Sequence, residues 1–340
     1  MESVKLDLNS AFEMSKRAFE ELYKNEKHLF ENLNDEKVEL CRKDVYYHTS
    51  FLIQAINLDS KPLFEDYTKW VFELFKSLGI SFESYVISLN YILSVINDTF
   101  GEGIAKVARK FLNDSIEFYK NEEKVIQNSN PLQDYKEQYK KLLLQGDRRS
   151  ASKLIDELIS KGVGVKEIYT YIFRESLYDI GLLWQTGKIN VAQEHFFTAA
   201  TQMIMTQLYP YIFTHLKNGH TIVGACASGE LHEIGIRMVC DLLEMDGYNT
   251  HFLGASTPAQ GVADYAYFKK AEAILLSVTL SINLESLRKT IEVLRADDRL
   301  KGLKIIVGGR PFTLDPELYA KVGADYSTTN VEELKRIIEQ

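Results

Sequence analysis

The chain has 3 cysteines, 2 tryptophans and 6 prolines in 340 residues, with no run of Lys and Arg and no long apolar stretch. Cys41, Cys226 and Cys240 are too few and too scattered for a disulfide framework or a cysteine-rich metal site, which points to a reducing compartment. The longest apolar runs fall well short of the ~18 residues a membrane span needs. Met1 leads into charged residues rather than a signal peptide, so a cytoplasmic protein without membrane contact is expected. With 40 Lys and Arg against 48 Asp and Glu, the formal net charge is −8. A basic face is missing, and with it the basis for direct nucleic-acid binding. What is abundant is 19 Tyr and 18 Phe. Hydrophobic content of 45% and charged content of 26% are those of a globular chain, long enough for two or three domains.

Apolar residues recur at helical spacing over Ala11–Leu33, Val38–Ile56, Leu63–Leu78, Ser81–Asn97 and Ile104–Tyr119, so residues 1–126 are expected to form an aromatic-rich helical domain. The polar stretch Gln127–Pro131 reads as a linker. Helices at Tyr135–Leu144, Arg149–Lys161, Lys166–Trp184 and Ile189–Leu216, joined by short connections, predict a four-helix bundle over residues 132–218. From His220 the pattern changes. Strands at Thr221–Ala227, Thr250–Leu253, Ala273–Ser277 and Lys304–Val307 alternate with helices from His232 to Asp246 and at Ala259–Lys270, Leu284–Ala296 and Pro316–Val322. Residues 219–340 are therefore expected to be a doubly wound, Rossmann-like parallel sheet with its ligand over the carboxyl ends of the strands. The whole is a multidomain α and α/β chain.

The turn after the first strand, Ala227 to Gly235, lacks the Lys of a phosphate loop and the glycine spacing of a dinucleotide fingerprint. Ser228 has no G-x-S-x-G elbow, and no catalytic triad is evident. The turn does present Glu230 two residues before His232. A metal-ligating histidine gives its other ring N–H to a carboxylate or carbonyl, and Glu230 and His232 suit that arrangement. A solvated histidine near a helix start suits the same residues equally well. Gly235 would let a large planar group approach the backbone. Leu253-Gly254, Ser277 with Thr279, and Gly308-Gly309 close the next three strands on the same edge, the glycines leaving room for a ligand tail.

Glu230-Leu231-His232-Glu233-Ile234-Gly235, Ser277-Val278-Thr279-Leu280 and Gly308-Gly309 together resemble the D/E-x-H-x-x-G, S-x-L/T and G-G signature of cobalamin-binding domains. The resemblance implies that His232 is the lower axial cobalt ligand, with Glu230 as its orienter. It also implies a nucleotide tail inserted beside Leu253, Gly254, Ser277, Thr279, Gly308 and Gly309. In the bundle, Trp184 followed by Glu194-His195 is similar to the CarH-type adenosylcobalamin photoreceptors, where such residues contact the adenosyl group on the upper corrin face. The histidine that follows the Trp in those proteins is Gln185 here. The overall layout resembles the photocobilins, which add a bilin in a degenerate globin-like domain. Cys41, Asp44 and His48 share one helix face, yet an ordinary aromatic core explains them better than a biliverdin or another tetrapyrrole does.

The resemblance favours a non-enzymatic light sensor in which photolysis of adenosylcobalamin changes conformation or oligomeric state. A homo-oligomer, dimeric or dimer-based, and a downstream signalling protein are the expected partners. The alternative is a corrinoid carrier for methyl transfer using methylcobalamin, which Gln185 favours. A radical mutase is disfavoured because nothing reads as a barrel.

Overall fold

The computed structural model describes residues 6, 8–121, 130–213 and 216–340. Residues 127–129 of the expected linker and 214–215 of the expected helix Ile189–Leu216 lie outside them. The chain divides into two compact units. One comprises Met1–Glu123 with Thr279–Glu285 and Arg310–Val322; the other comprises Lys124–Val278, Ser286–Gly309 and Gly323–Gln340.

The first unit is built on α1 (Leu8–Asn25), α2 (Asp35–Asn57), α3 (Lys61–Leu78), α4 (Phe82–Phe100) and α5 (Glu102–Asn121). The boundaries follow capping chemistry. Asn34 accepts from the Lys37 amide and Ser81 from the Glu83 amide, each satisfying a helix-start N–H that has no partner within the helix. Gly79 ends α3 in the left-handed conformation. Buried Tyr67 and Phe72 pack against half-buried aromatics: Phe51 stacks on Tyr67 at 4.0 Å, and Phe72 lies between Phe82 at 3.8 Å and Tyr119 at 3.9 Å. The surplus of Tyr and Phe is thus largely a packing device.

The second unit begins with α6 (Gln133–Leu144), α7 (Arg148–Ser160) and α8 (Val165–Glu167), which runs through a π-helical stretch, Ile168–Arg174, into α9 (Glu175–Gln185). Next come α10 (Val191–Gln207) and the single turn α11 (Tyr209–Ile212). Tyr139, Phe173, Phe197 and Ile204 form the bundle core, where the Tyr139 and Thr201 hydroxyls meet at 3.0 Å.

The sheet follows with β1 (Thr221–Cys226), α12 (Ile234–Met245), β2 (Asn249–Phe252), α13 (Ala259–Lys269), β3 (Ala273–Ser277), α14 (Leu284–Ala296) and β4 (Lys304–Gly308). α15 (Arg310–Leu314), α16 (Leu318–Val322), β5 (Tyr326–Ser327) and α17 (Val331–Glu339) complete it. All strand pairs are parallel, in the order β2-β1-β3-β4-β5. β3 is buried throughout, as a central parallel strand with both faces covered must be. The direction of winding reverses between β1 and β3, and a doubly wound sheet opens a crevice at the carboxyl ends beside that point.

The structure departs from expectation in five places, one of them the helix expected at Ile189–Leu216, which is divided at Leu208 into α10 and α11. The helix expected to begin at His232 begins at Ile234, which leaves His232 in the loop. The helix expected at Pro316–Val322 is found as the shorter α16, Leu318–Val322, and α15 before it is an additional element. The continuous helix expected at Lys166–Trp184 contains the π-helical stretch, and β5 and α17 are additional elements.

Candidate functional site

β1 is apolar and buried to its end at Cys226, so the chain turns only on emerging from the sheet. Gly229 makes that turn with φ +83°, a region open to glycine at no steric cost. The next residue, Glu230, is fully buried, and its carboxylate accepts from the His232 amide at 2.9 Å and meets His232 Nδ1 at 2.5 Å. An ionised carboxylate only accepts, so Nδ1 carries the proton and Nε2 of the neutral ring keeps its lone pair. The imidazole is 55% exposed at the carboxyl edge of the sheet. Its pKa is raised, first by the hydrogen bond to Glu230 against the opposing effect of burial, then by the charges of Glu230 and Glu194.

That influence of Glu194 joins the bundle to the sheet edge within the second unit. Asn190 caps α10 and accepts from the Gln193 amide, placing Glu194 and His195 in the first turn of the helix. Glu194 accepts from the Thr198 hydroxyl at 2.9 Å and meets His195 Nδ1 at 2.5 Å. Trp184, at the end of α9, is 46% exposed. Further along α10, the Gln202 amide donates to Glu233 at 2.7 Å, beside the histidine loop.

The other expected residues fall as follows. A Cβ on Gly235 would meet nothing within 4 Å, so this face of the loop is open. Leu253 and Gly254 follow β2; Gly254 has φ +88°, and a Cβ there would come within 3.3 Å of the Glu233 carboxylate. Ser277 closes β3 and is buried. A Cβ on Gly308 would lie 3.2 Å from the Thr328 carbonyl, and one on Gly309 only 1.9 Å from that of Val278, at φ +110°. Gly309 is therefore required by the approach of its own chain, independently of any ligand tail. Thr279 belongs to the first unit.

Two features gave no sequence signal. Ser256, in the turn after β2, accepts from the Gly229 amide at 2.9 Å and donates its own amide to Glu230 O at 2.8 Å. Behind the loop, Tyr169 of the π-helical stretch donates to Asp241 of α12 at 2.8 Å, and Arg237 donates to the Tyr209 hydroxyl at 3.2 Å. A serine in a turn and a tyrosine in a bundle are each too common to single out in advance.

In the first unit, His48 is buried, its Nδ1 2.7 Å from the Tyr67 hydroxyl and its ring edge-on to Tyr85 at 4.8 Å. Burial lowers its pKa to about 3. His48 is thus a neutral core residue, as the aromatic-core reading of the Cys41, Asp44 and His48 face has it.

Comparison with known proteins bears on the same residues. Residues 220–335 match a family model described as B12 binding domain, and residues 135–209 match a second model of that description. Dimethylamine corrinoid protein 1 of Methanosarcina acetivorans is 27% identical over 183 residues, which cover 52% of this chain and 78% of that protein. Monomethylamine corrinoid protein 1 of the same organism is 22% identical over 192 residues, covering 55% and 87%. The solved structure of the Methanosarcina barkeri monomethylamine corrinoid protein aligns with a TM-score of 0.53 at 21% identity, covering 61% of this chain and 99% of that one, which shows a common fold. The chain therefore contains cobalamin-binding modules, and among the described residues no helix is long and apolar enough to cross a membrane.

These relatives overturn the light-sensor expectation: they are methylamine corrinoid proteins, not photoreceptors. The physical reason lies in what the Trp184 and Glu194-His195 spacing encodes. It is the end of α9, the connection 186–190 and the first turn of α10, a geometry that places side chains at one end of a bundle whatever the upper ligand. The adenosyl ligand, the bilin, the homo-oligomer and the signalling partner were inferred from the same resemblance, and these relatives give them no support.

Proposed function

We propose that this chain is a corrinoid carrier protein: it holds a cobalamin-type cofactor on His232 and presents it to a separate methyltransferase. The observation that carries the proposal is the pairing of the fully buried Glu230 with His232, which leaves Nε2 as an exposed lone pair at the carboxyl edge of β1. A single imidazole suffices as protein ligand for a metal whose other positions are largely filled, as those of cobalt in a corrin are. When bound, the corrinoid supplies a cobalt centre able to accept and release a methyl group. The names of the relatives point to methylated amines as the source of that group.

The chain's own residues divide the work. Glu230 holds the Nδ1–H tautomer and the ring orientation of His232. The open face at Gly235 admits a flat macrocycle. Leu253, Gly254, Ser277, Gly308 and Gly309 keep the tail-lining role expected of them, and Trp184, Glu194 and His195 keep theirs over the upper face, at the end of the 132–218 bundle. Gln185 in place of a histidine leaves that face without one competing ligand, which suits a carrier.

Titration of the cofactor-free protein with methylcobalamin and with adenosylcobalamin tests the reading. Stoichiometric uptake with methylcobalamin preferred is expected. Glu230→Gln, which keeps the size but removes the charge, is expected to weaken uptake by ~10–100-fold. Preference for adenosylcobalamin, or uptake that survives His232→Ala unchanged, overturns it.

A further inference from the structure

The loop that carries Glu230 and His232 is gripped at two peptide groups, Ser228–Gly229 and Glu230–Leu231, by residues from two other parts of the second unit. The Ser286 hydroxyl of α14 donates to the Ser228 carbonyl at 2.6 Å. The Gly229 amide donates to Ser256 Oγ at 2.9 Å, and the Ser256 amide donates to the Glu230 carbonyl at 2.8 Å. The turn that delivers Ser256 is itself tied to the end of β1: Cys226 N donates to Gly254 O at 3.1 Å, and Thr257 N to Cys226 O at 3.3 Å.

The backbone at Ser256 is unusual. Its φ of +46° lies in the left-handed region, which L-residues other than Asn and Asp seldom occupy, and it shares this with only Asp59 and Lys270 among the non-glycine residues described. In this conformation the hydroxyl and the amide of one residue hold the two peptides that flank the Gly229–Glu230 link: Ser228–Gly229 at its N–H, and Glu230–Leu231 at its carbonyl. The segment between those two peptides carries the Glu230 Cα and so sets where the buried carboxylate sits. The carboxylate in turn holds both the amide and the Nδ1 of His232.

From this geometry, and resting on the carrier reading above, we propose that Ser256 is a positioning residue for the cobalt ligand. By holding the peptides on either side of the Gly229–Glu230 link it keeps the Glu230 carboxylate under Nδ1, so that Nε2 stays available in one tautomer and one orientation. Ser286 holds the carbonyl end of the same Ser228–Gly229 peptide whose N–H donates to Ser256. Partners standing behind a metal-ligating group in this way are worth ~10–100-fold in affinity.

The test compares the full-length wild-type chain with Ser256→Gly, Ser256→Asp and Ser286→Ala. Glycine accepts the left-handed backbone and keeps the amide contact, so only the hydroxyl is lost. Aspartate tolerates the same conformation and offers an oxygen to the Gly229 amide. Each protein is titrated with hydroxocobalamin, and histidine ligation is read from the absorption spectrum. In parallel, long-range 1H–15N spectra of the cofactor-free protein report the His232 tautomer. Ser256→Gly is expected to bind ~10-fold more weakly, with a lower ligated fraction and a mixed tautomer population. Ser256→Asp is expected to restore all three, and Ser286→Ala to shift them less than Ser256→Gly. Unchanged ligation and tautomer in Ser256→Gly overturn the proposal; if that variant fails to fold, the same outcome in Ser286→Ala does so. A wild-type chain that takes up no hydroxocobalamin defeats the carrier reading, while the tautomer spectra still decide the role of Ser256.

Discussion

Single residues separate ligand demands from fold demands most clearly at the glycines. Gly235 and Gly309 both look permissive in the sequence, each in a motif expected to leave room for a cofactor. A Cβ at Gly235 meets nothing, whereas one at Gly309 would collide with the Val278 carbonyl at 1.9 Å and would sit at φ +110°. Gly235→Ala is therefore expected to keep the melting temperature of the cofactor-free protein and to weaken corrinoid uptake. Gly309→Ala is expected to cost about 3 kcal/mol or more of stability, visible in urea unfolding before any corrinoid is added. Equal stability of the two variants would show that the approach to Val278 is unimportant.

Titrating groups in the first unit carry a second prediction at the same scale. His48 has a folded-state pKa of about 3 against an ordinary 6.5, so its contribution is complete above pH 6.5 and is lost as the pH falls toward 3. Asp44, one turn earlier on α2, is raised to about 6 by burial, so it opposes folding at neutral pH and ceases to do so as the pH falls from 6 toward 3.8. Between pH 6 and 4 the two effects have opposite signs and similar slopes. Asp44→Asn removes the compensating one. Its stability, measured by urea midpoints at pH 7 and 4.5, is expected to drop about 1–2 kcal/mol further on acidification than that of the wild type. Parallel losses in the two proteins would refute the compensation.

At the scale of elements, much of the chain is legible because its periodicities are clean. Buried apolar strands alternating with amphipathic helices imply a parallel sheet, and a parallel sheet places its ligand at the carboxyl edge. Glu230 and His232 stand out because a carboxylate and an imidazole two residues apart fall in the loop that leaves a buried strand. The π-helical stretch Ile168–Arg174 is not legible, since over seven residues its repeat cannot be told from that of an α-helix. β5 is only two residues long, too short for any alternation to register. Ser256 is hidden for another reason: its role arises from a left-handed φ and a neighbouring loop, neither of which a serine in a turn reveals. The π-helical stretch also has an energetic consequence. It carries Tyr169, whose hydroxyl donates to Asp241 on α12, a carboxyl raised to about 6 by burial. Tyr169→Phe withdraws that donor from a buried acid while leaving the ring. It is expected to destabilise the protein by about 1–3 kcal/mol in urea unfolding, more at neutral pH than at pH 5, where the acid protonates. A loss that does not change with pH would place the effect in packing rather than in the hydrogen bond.

For the whole molecule, the decisive fact is that no single cut of the chain separates its two units. The first combines Met1–Glu123 with Thr279–Glu285, which follows β3, and Arg310–Val322, which follows β4. Within that unit the Ser60 hydroxyl donates to Asp315 at 2.6 Å, Arg310 pairs with Asp66, and the Lys321 ammonium donates to the Asp59 carbonyl at 3.1 Å. Ser60 is buried, so its bond to Asp315 is worth about 1 kcal/mol, whereas the half-exposed Arg310–Asp66 pair adds less. Apolar burial outweighs both: Leu284, Phe312, Leu318 and Val322, all in these two returning segments, are almost wholly removed from solvent. A fragment of residues 130–340 retains both segments matched by B12 binding domain models but removes the helical body of the first unit. It is expected to melt below the full chain, with its lost protection from hydrogen exchange concentrated at 279–285 and 310–322. Because these segments continue the chain from Val278, next to Ser277, and from Gly309, loosening them should weaken corrinoid uptake while leaving the His232 tautomer, set by Glu230 within the second unit, unchanged. A fragment with the melting temperature and affinity of the full chain would mean that the returning segments hold their shape without the N-terminal helices. The function of those helices would then have to be sought elsewhere than in supporting the cofactor site.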